Sequence, residues 1–245
     1  MTITDRRYGG RTVVARKAER RQRFLDAATR LFAERGYLAC SLADVCAAAG
    51  LSKRQFYEEF ETREDVLIAA YDRIQDDAAA SVARSLATLT VPTDPVVAMR
   101  TGLTAYLESI GSDPYRAKIA FVEVVGVSEH IEQQRRLRRH SWAAQIQGSL
   151  EAIGVRLRGD DTQLTAALLT GAVNGIAHEW MLRETKPPLS DLVDLLTGVA
   201  MALVDAGWSA HGRARGTPVL MLPAQPDLLS GHCETGWHHS VGTEV

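Results

Sequence analysis

Apolar side chains recur every three to four residues from about Arg16 to about Ala210, and the alternation that marks strands is nearly absent. The pattern predicts an all-α chain. A first helix runs to Arg35, with Phe24, Ala28, Leu31 and Phe32 on one stripe. Gly36 is its stop, and Tyr37 folds back as the apolar contact after it. Ser41 with Asp44 caps a short helix, Leu42 to Ala49, and Gly50-Leu51 forms a turn. Ser52 caps a third helix, Lys53 to Glu58, and Thr62 with Asp65 caps a long fourth that extends toward Leu89. The two prolines in residues 90–95 break the pattern. Further helices are predicted over Val96 to Ile110, Tyr115 to Val127, Glu129 to Ile153 (capped by Ser128) and Gln163 to Glu184. Ser190 caps the last, which ends near Ala210. That makes nine helices. Residues 212–245 lack periodicity and read as a flexible tail.

Net charge is −2 over 245 residues, so it alone argues for no partner. Its distribution says more. The first 23 residues hold 8 basic and 2 acidic side chains, an arm suited to a polyanion. The three cysteines, Cys40, Cys46 and Cys233, form no paired framework, and no apolar run approaches the ~20 residues of a membrane span. A soluble, cytoplasmic protein is expected. There is no nucleophile elbow, Gly-rich phosphate loop or metal motif, so neither an enzyme nor a cofactor is expected. His232, Cys233, His238 and His239 in the tail are metal-ligand types without a paired spacing, and no metal site is assigned.

Residues 41–60 carry the strongest signal: two short capped helices joined by a tight Gly turn, with Val45, Leu51, Phe56 and Phe60 as anchors and Ala47, Ala48 and Ala49 permitting a close crossing. The second helix is too short to stand alone, so a neighbour must hold it while its outer face stays free for a groove. At these residues the chain resembles the TetR family of bacterial regulators. The matching residues are Leu31-Phe32, Gly36-Tyr37, Ser41 to Val45, Ala49 to Lys53, Phe56-Tyr57, Phe60 and Thr62 to Leu67. The resemblance implies three helices for DNA and the rest for ligand and dimer contacts. It departs from the usual pattern at Arg54, Gln55, Glu59 and Arg63. Arg54 and Gln55 suit guanine and adenine edges. Lys53 and Tyr57 match positions that touch phosphate in the family. Ser41, Ser52 and Arg63 complete the candidate DNA contacts. Glu58 and Glu59 would repel phosphate, so at least one is expected to point away.

The expected organisation is a basic arm (1–17), a DNA-binding domain (18–78), a ligand and dimerisation domain (79–211) and a tail (212–245). The arm, through Arg6, Arg7, Arg11, Arg16, Lys17, Arg20, Arg21 and Arg23, either enters a minor groove or stays solvated. A second basic run, Arg135, Arg136, Arg138, Arg139 and His140, reads as a solvated helix face, with Glu132 paired to Arg136.

Candidate ligand-lining residues are Met99, Leu103, Phe121, Val125, Trp142, Ile146 and Asn174, with Arg100, Glu123 or His178 as polar anchors. The competing reading makes Arg100 and Glu123 an ion pair or snorkelling chains, and His178 a satisfied core or interface histidine. A homodimer is expected through Leu164, Leu168, Gly171 and Gly175 on one helix and Leu192, Leu196, Val199 and Leu203 on the next. The expected partners are therefore double-stranded DNA with a palindromic operator, a small-molecule effector and a second copy of the chain. The expected function is repression relieved by a mostly apolar ligand. The alternative is a ligand-independent activator or architectural DNA-binding protein.

Overall fold

Three reciprocal caps, one after another, start the helices that follow α1 in this computed structural model, which describes residues 13–90, 93–159 and 161–204. Helix α1 spans Val13–Arg35. Ser41 accepts the Asp44 N–H while the Asp44 side chain accepts the Ser41 N–H, and α2 (Leu42–Ala49) follows. Ser52 and Gln55 do the same for α3 (Lys53–Tyr57), and Thr62 and Asp65 for α4 (Arg63–Leu86). Gly36 (φ 84°) and Gly50 (φ 62°) make the turns after α1 and α2. Both lie in the left-handed region that a side chain disfavours.

Prolines open the next two helices at the first position, where a missing N–H costs nothing. Asp94 caps α5 (Pro95–Gly111), and Asp113 caps α6 (Pro114–Lys118). The continuous helix expected to Val127 is not formed. A π-helical turn, Ile119–Glu123, succeeds α6 and ends the run. Then come α7 (Glu129–Ala152), capped by Ser128, α8 (Thr162–Leu182), capped by Asp161, and α9 (Leu189–Ala202). Ser190 is not the cap expected of it. Pro188 takes that place and α9 starts two residues earlier, at Leu189, so Ser190 is helical. The helix also stops at Ala202, because Val204 instead forms an isolated antiparallel bridge with Leu157. Among the described residues there are thus nine α-helices and no strand longer than that bridge. Residues 1–12 of the arm, with Arg6, Arg7 and Arg11, and residues 205–245, with the tail His and Cys residues, lie outside the described residues.

Helix α4 is the spine. It packs on α1 at one end and on α5 and α7 along its length, α5 packs against α9, and α7 against α8. It crosses the expected boundary at residues 78 and 79 without a break, and Ala78 is fully buried there. Arg138 is not on a solvated face. It reaches from α7 to Asp72 (2.8 Å) and Asp76 (2.7 Å) of α4, and Glu132 pairs with Arg135 (2.5 Å) rather than Arg136. Inside the body, Gln75 is buried with its Oε1 accepting from Trp142 Nε1 at 2.9 Å, while its Nε2 has no hydrogen-bond partner among the described residues. Tyr106 stacks edge-on against Trp142, ring centroids 5.0 Å apart. Burial, with Tyr71 nearby, pushes the Tyr106 phenol up, so it stays neutral.

Trp142→Phe removes the donor that satisfies Gln75 and is expected to destabilise the fold by about 1–3 kcal/mol. Adding Gln75→Leu removes the stranded amide and is expected to recover part of the loss. Urea midpoints followed by far-UV circular dichroism check both, and equal midpoints for the single and double variants contradict the account.

Candidate nucleic-acid interface

Helix α3 has five residues, far below the length at which a helix holds itself together in water. Its stability comes from Phe56, fully buried, whose ring meets Phe24 edge-on at 5.3 Å and Phe60 at 5.6 Å. Phe24 also meets Phe60 at 6.1 Å. Helix α1 therefore carries the floor on which α3 lies. Helix α2 contributes Val45, Cys46 and Ala49 to the same core. Ala47 and Ala48, expected at a close helix crossing, are exposed instead, because α2 turns only one face inward.

The two acidic residues after α3 are resolved as expected, and by residues read otherwise. The Glu59 side chain is only 1% exposed and pairs with Arg20 at 3.1 Å. Glu58 lies 3.3 Å from the same guanidinium and 3.6 Å from Arg54. Arg21 donates to the Glu59 carbonyl at 3.1 Å and covers the Phe60 ring at 4.4 Å. Arg23 donates to the Ala49 carbonyl at 2.7 Å, at the C-terminal end of α2 where carbonyls lack helical partners. Arg20, Arg21 and Arg23 are thus not arm residues free for a minor groove. They are one face of α1, and they bind the helix-turn-helix to it. Their spacing on a predicted helix was the available signal.

On the outer face of α3, Lys53, Arg54 and Tyr57 are exposed, the Arg54 side chain by 91%. Gln55 is different. Its Oε1 accepts from the Ser52 N–H (2.9 Å) and hydroxyl (3.0 Å). A bidentate grip on adenine needs both halves of the amide, so Gln55 could make it only by giving up the cap. The exposed Ser41 hydroxyl donates to Asp44 at 2.6 Å, and the Ser41 contacts hold the Asp44 carboxyl below the usual range. Arg63 lies over the Tyr37 ring at 4.1 Å.

The polar anchors proposed for a ligand are engaged elsewhere. Arg100 is half exposed and pairs with Asp194 of α9 at 2.5 Å. Glu123 accepts the Tyr37 N–H at 2.8 Å and lies 3.6 Å from Lys118, so Arg100 and Glu123 do not pair with each other. His178 meets the Phe121 carbonyl, in line with the satisfied reading, and Asn174 donates to the Thr170 carbonyl of its own helix. Met99, Leu103 and Phe121 are buried, Trp142 and Ile146 are half-buried, and Val125 is exposed because the helix has ended before it. Gln75, a buried polar group in the apolar interior, was not anticipated. Its signal was a polar residue on the stripe of α4 marked by Leu67, Tyr71, Ile74 and Ala78.

The dimer candidates divide. Leu164 (68%) and Leu168 (61%) are exposed on α8, in line with Gly171 and Gly175, where an added Cβ would meet nothing within 4 Å. On α9, Leu192 and Leu196 are buried within the protomer, where they hold the helix against its neighbours, and Leu203 is half-buried. Val199 faces outward together with Leu195.

A short capped helix held outward by a core of three aromatic rings, with cations on its free side, defines a helix-turn-helix DNA-binding protein. Residues 24–70 match the family of bacterial regulatory proteins, tetR family. The chain is 26% identical to the HTH-type transcriptional regulator AcrR of Shigella flexneri, covering 66% of this chain and 79% of that one. It is 29% identical to the HTH-type transcriptional activator FasR of Mycolicibacterium smegmatis, over 42% of this chain and 46% of the relative. The fold is similar to that of the transcriptional regulator FadR of Bacillus subtilis, solved with stearoyl-CoA: TM-score 0.62 at 16% identity, covering 73% of this chain and 96% of that one. Residues 24–70 thus form a segment of the tetR-family type, and the relatives AcrR and FasR are both transcriptional regulators. Among the described residues no helix is long and apolar enough to cross a membrane.

Arg20→Ala strands the buried Glu59 carboxylate and is expected to cost about 1–3 kcal/mol of stability. Glu59→Gln in the same chain is expected to restore part of it, read from thermal unfolding. A variant as stable as wild type would show that the Arg20–Glu59 pair does not hold α3.

Proposed function

We propose that the protein is a homodimeric transcription regulator that reads a palindromic operator through α3 and releases it when a small, mostly apolar ligand enters the body. The observation that carries the DNA half is the outer face of α3, where Lys53, Arg54 and Tyr57 stand exposed on a helix whose other side is locked. Arg54 is the base reader, and Lys53 and Tyr57 hold phosphate. Residues 18–78 form the reading head and 79–211 the remainder. Two heads need two protomers, and the outer faces of α8 and α9 supply the seam: Leu164, Leu168, Gly171 and Gly175 with Leu195 and Val199. A ligand site between the helices of 96–183 is favoured by an apolar interior, with Met99, Leu103 and Phe121, that also holds the buried Gln75 side chain. The FadR structure with stearoyl-CoA supports an acyl-chain ligand. The likeness to FasR, named as an activator, favours a second reading in which the same DNA contact activates transcription.

Arg54→Ala is expected to cost about 1–3 kcal/mol on a duplex selected by the wild type from a random pool, and to relax preference at one position of each half-site. Lys53→Ala is expected to weaken all duplexes alike and lower the salt slope by about one. Unchanged affinity in both variants removes α3 as the reading element. Gly175→Glu is expected to give monomers in light scattering and to lose the duplex. Stearoyl-CoA is the first ligand probe. A raised melting temperature together with release of the duplex supports the repressor reading, and a reporter that rises with protein level supports the activator.

A further inference from the structure

The π-helical turn Ile119–Glu123 is gripped from two sides. From α8, His178 Nδ1 lies 2.5 Å from the carbonyl oxygen of Phe121. A carbonyl only accepts, so the ring carries its N–H at that nitrogen and donates it. Toward α1, the Glu123 carboxylate accepts the Tyr37 N–H at 2.8 Å. Just before the turn, Lys118 donates to the Ala33 carbonyl at 2.7 Å and lies 3.6 Å from the Glu123 carboxylate. Ala33 is in the last turn of α1, and Tyr37 opens the segment leading into the helix-turn-helix. One short stretch of the body thus takes up both a terminal carbonyl of α1 and the first free N–H beyond it.

The register of that stretch decides where Glu123 stands. An α-helix turns about 100° per residue, and a π turn holds one more residue in each turn. Reversion to α register would swing Glu123 by roughly one residue's rotation relative to Lys118. A carboxylate 2.8 Å from a fixed amide could not follow it. A π turn is also an uncommon choice for a helix, found mostly as a single turn and often where function needs it.

We propose that His178 and Glu123 are positioning residues of the DNA-reading head. His178 holds the Phe121 carbonyl and with it the π register. That register places Glu123 on the Tyr37 amide, so the end of α1 is fixed from α8. The consequence for DNA rests on the reading of α3 given above, but the relay itself does not.

The test uses the full-length chain and hydrogen exchange at the Tyr37 amide. His178→Leu, which removes the bond to the Phe121 carbonyl, is expected to speed exchange there about tenfold, as is Glu123→Leu. His178→Asn keeps a donor near the Nδ1 position and is expected to restore protection, as is Glu123→Gln, which keeps an acceptor. If His178→Leu does not fold, His178→Phe, a ring without an N–H, takes its place. Faster exchange in Glu123→Leu alone overturns the relay, because the turn then keeps its register without His178. Wild-type exchange in all variants also overturns it. On a duplex selected by the wild type, His178→Leu is expected to lose about tenfold in affinity with the salt slope unchanged, since no phosphate contact is removed. Unchanged affinity together with faster Tyr37 exchange overturns the assignment to the reading head. If the wild type selects no duplex, the DNA reading fails, and the exchange measurements still decide the relay.

Discussion

A helix of five residues has no stability of its own, and everything this protein does with α3 depends on fixing that helix from behind. The fixing is aromatic first. Phe24, Phe56 and Phe60 bury three rings in edge-on and tilted contacts, a packing that is non-directional in its hydrophobic part and geometric in its ring contacts. Around it, three arginines of α1 supply direction: one neutralises the buried Glu59, one covers Phe60, and one caps α2. The same clamp that gives α3 its rigidity also withdraws an acidic side chain from the side where phosphates would lie. A rigid element with a cationic outer face loses little entropy when it meets DNA.

The head is not independent of the body. Helix α4 begins at the capping box of Thr62 and continues into the core of the remaining helices, so a displacement at one end is a displacement at the other. A second set of links runs beside it. Arg73 of α4 pairs with Asp26 of α1 at 2.8 Å, Arg116 of α6 pairs with Asp77 at 2.9 Å, and Ser128 at the start of α7 donates to Glu64 at 2.7 Å. Pairs such as these are half-exposed and individually weak, so their value lies in orientation more than in stability. Any ligand that alters DNA affinity must favour one arrangement of these contacts over another, because binding both equally shifts nothing.

Much of the architecture was legible along the chain because its signals are local. Ser41 with Asp44, Thr62 with Asp65, and the glycines at 36 and 50 each act within four residues, and each appears where the pattern places it. The outer face of α3 was legible for the same reason. At Gln55 two local roles compete for one side chain, and the cap is the nearer partner.

By itself, then, the sequence determined most of the helices, the caps of α2, α3 and α4, the likeness of residues 24–70 to the tetR family and the face that α3 presents. Only the tertiary structure decided the pairings between distant residues. It turned Glu59 inward onto Arg20, sent Glu123 to Tyr37 rather than to a ligand, and engaged Arg138 with Asp72 and Asp76. It also divided the leucines of α9, burying Leu192 and Leu196 and leaving Leu195 outside, although all three are equally apolar. The physical reason is range. Capping and periodicity depend on neighbours in sequence, whereas the partner of a long charged side chain, or the side of a helix that meets another, depends on how elements pack. The π turn at Ile119–Glu123 belongs to the same class: its residues read as ordinary helix, and its setting is the contact with His178 from one side and α1 from the other.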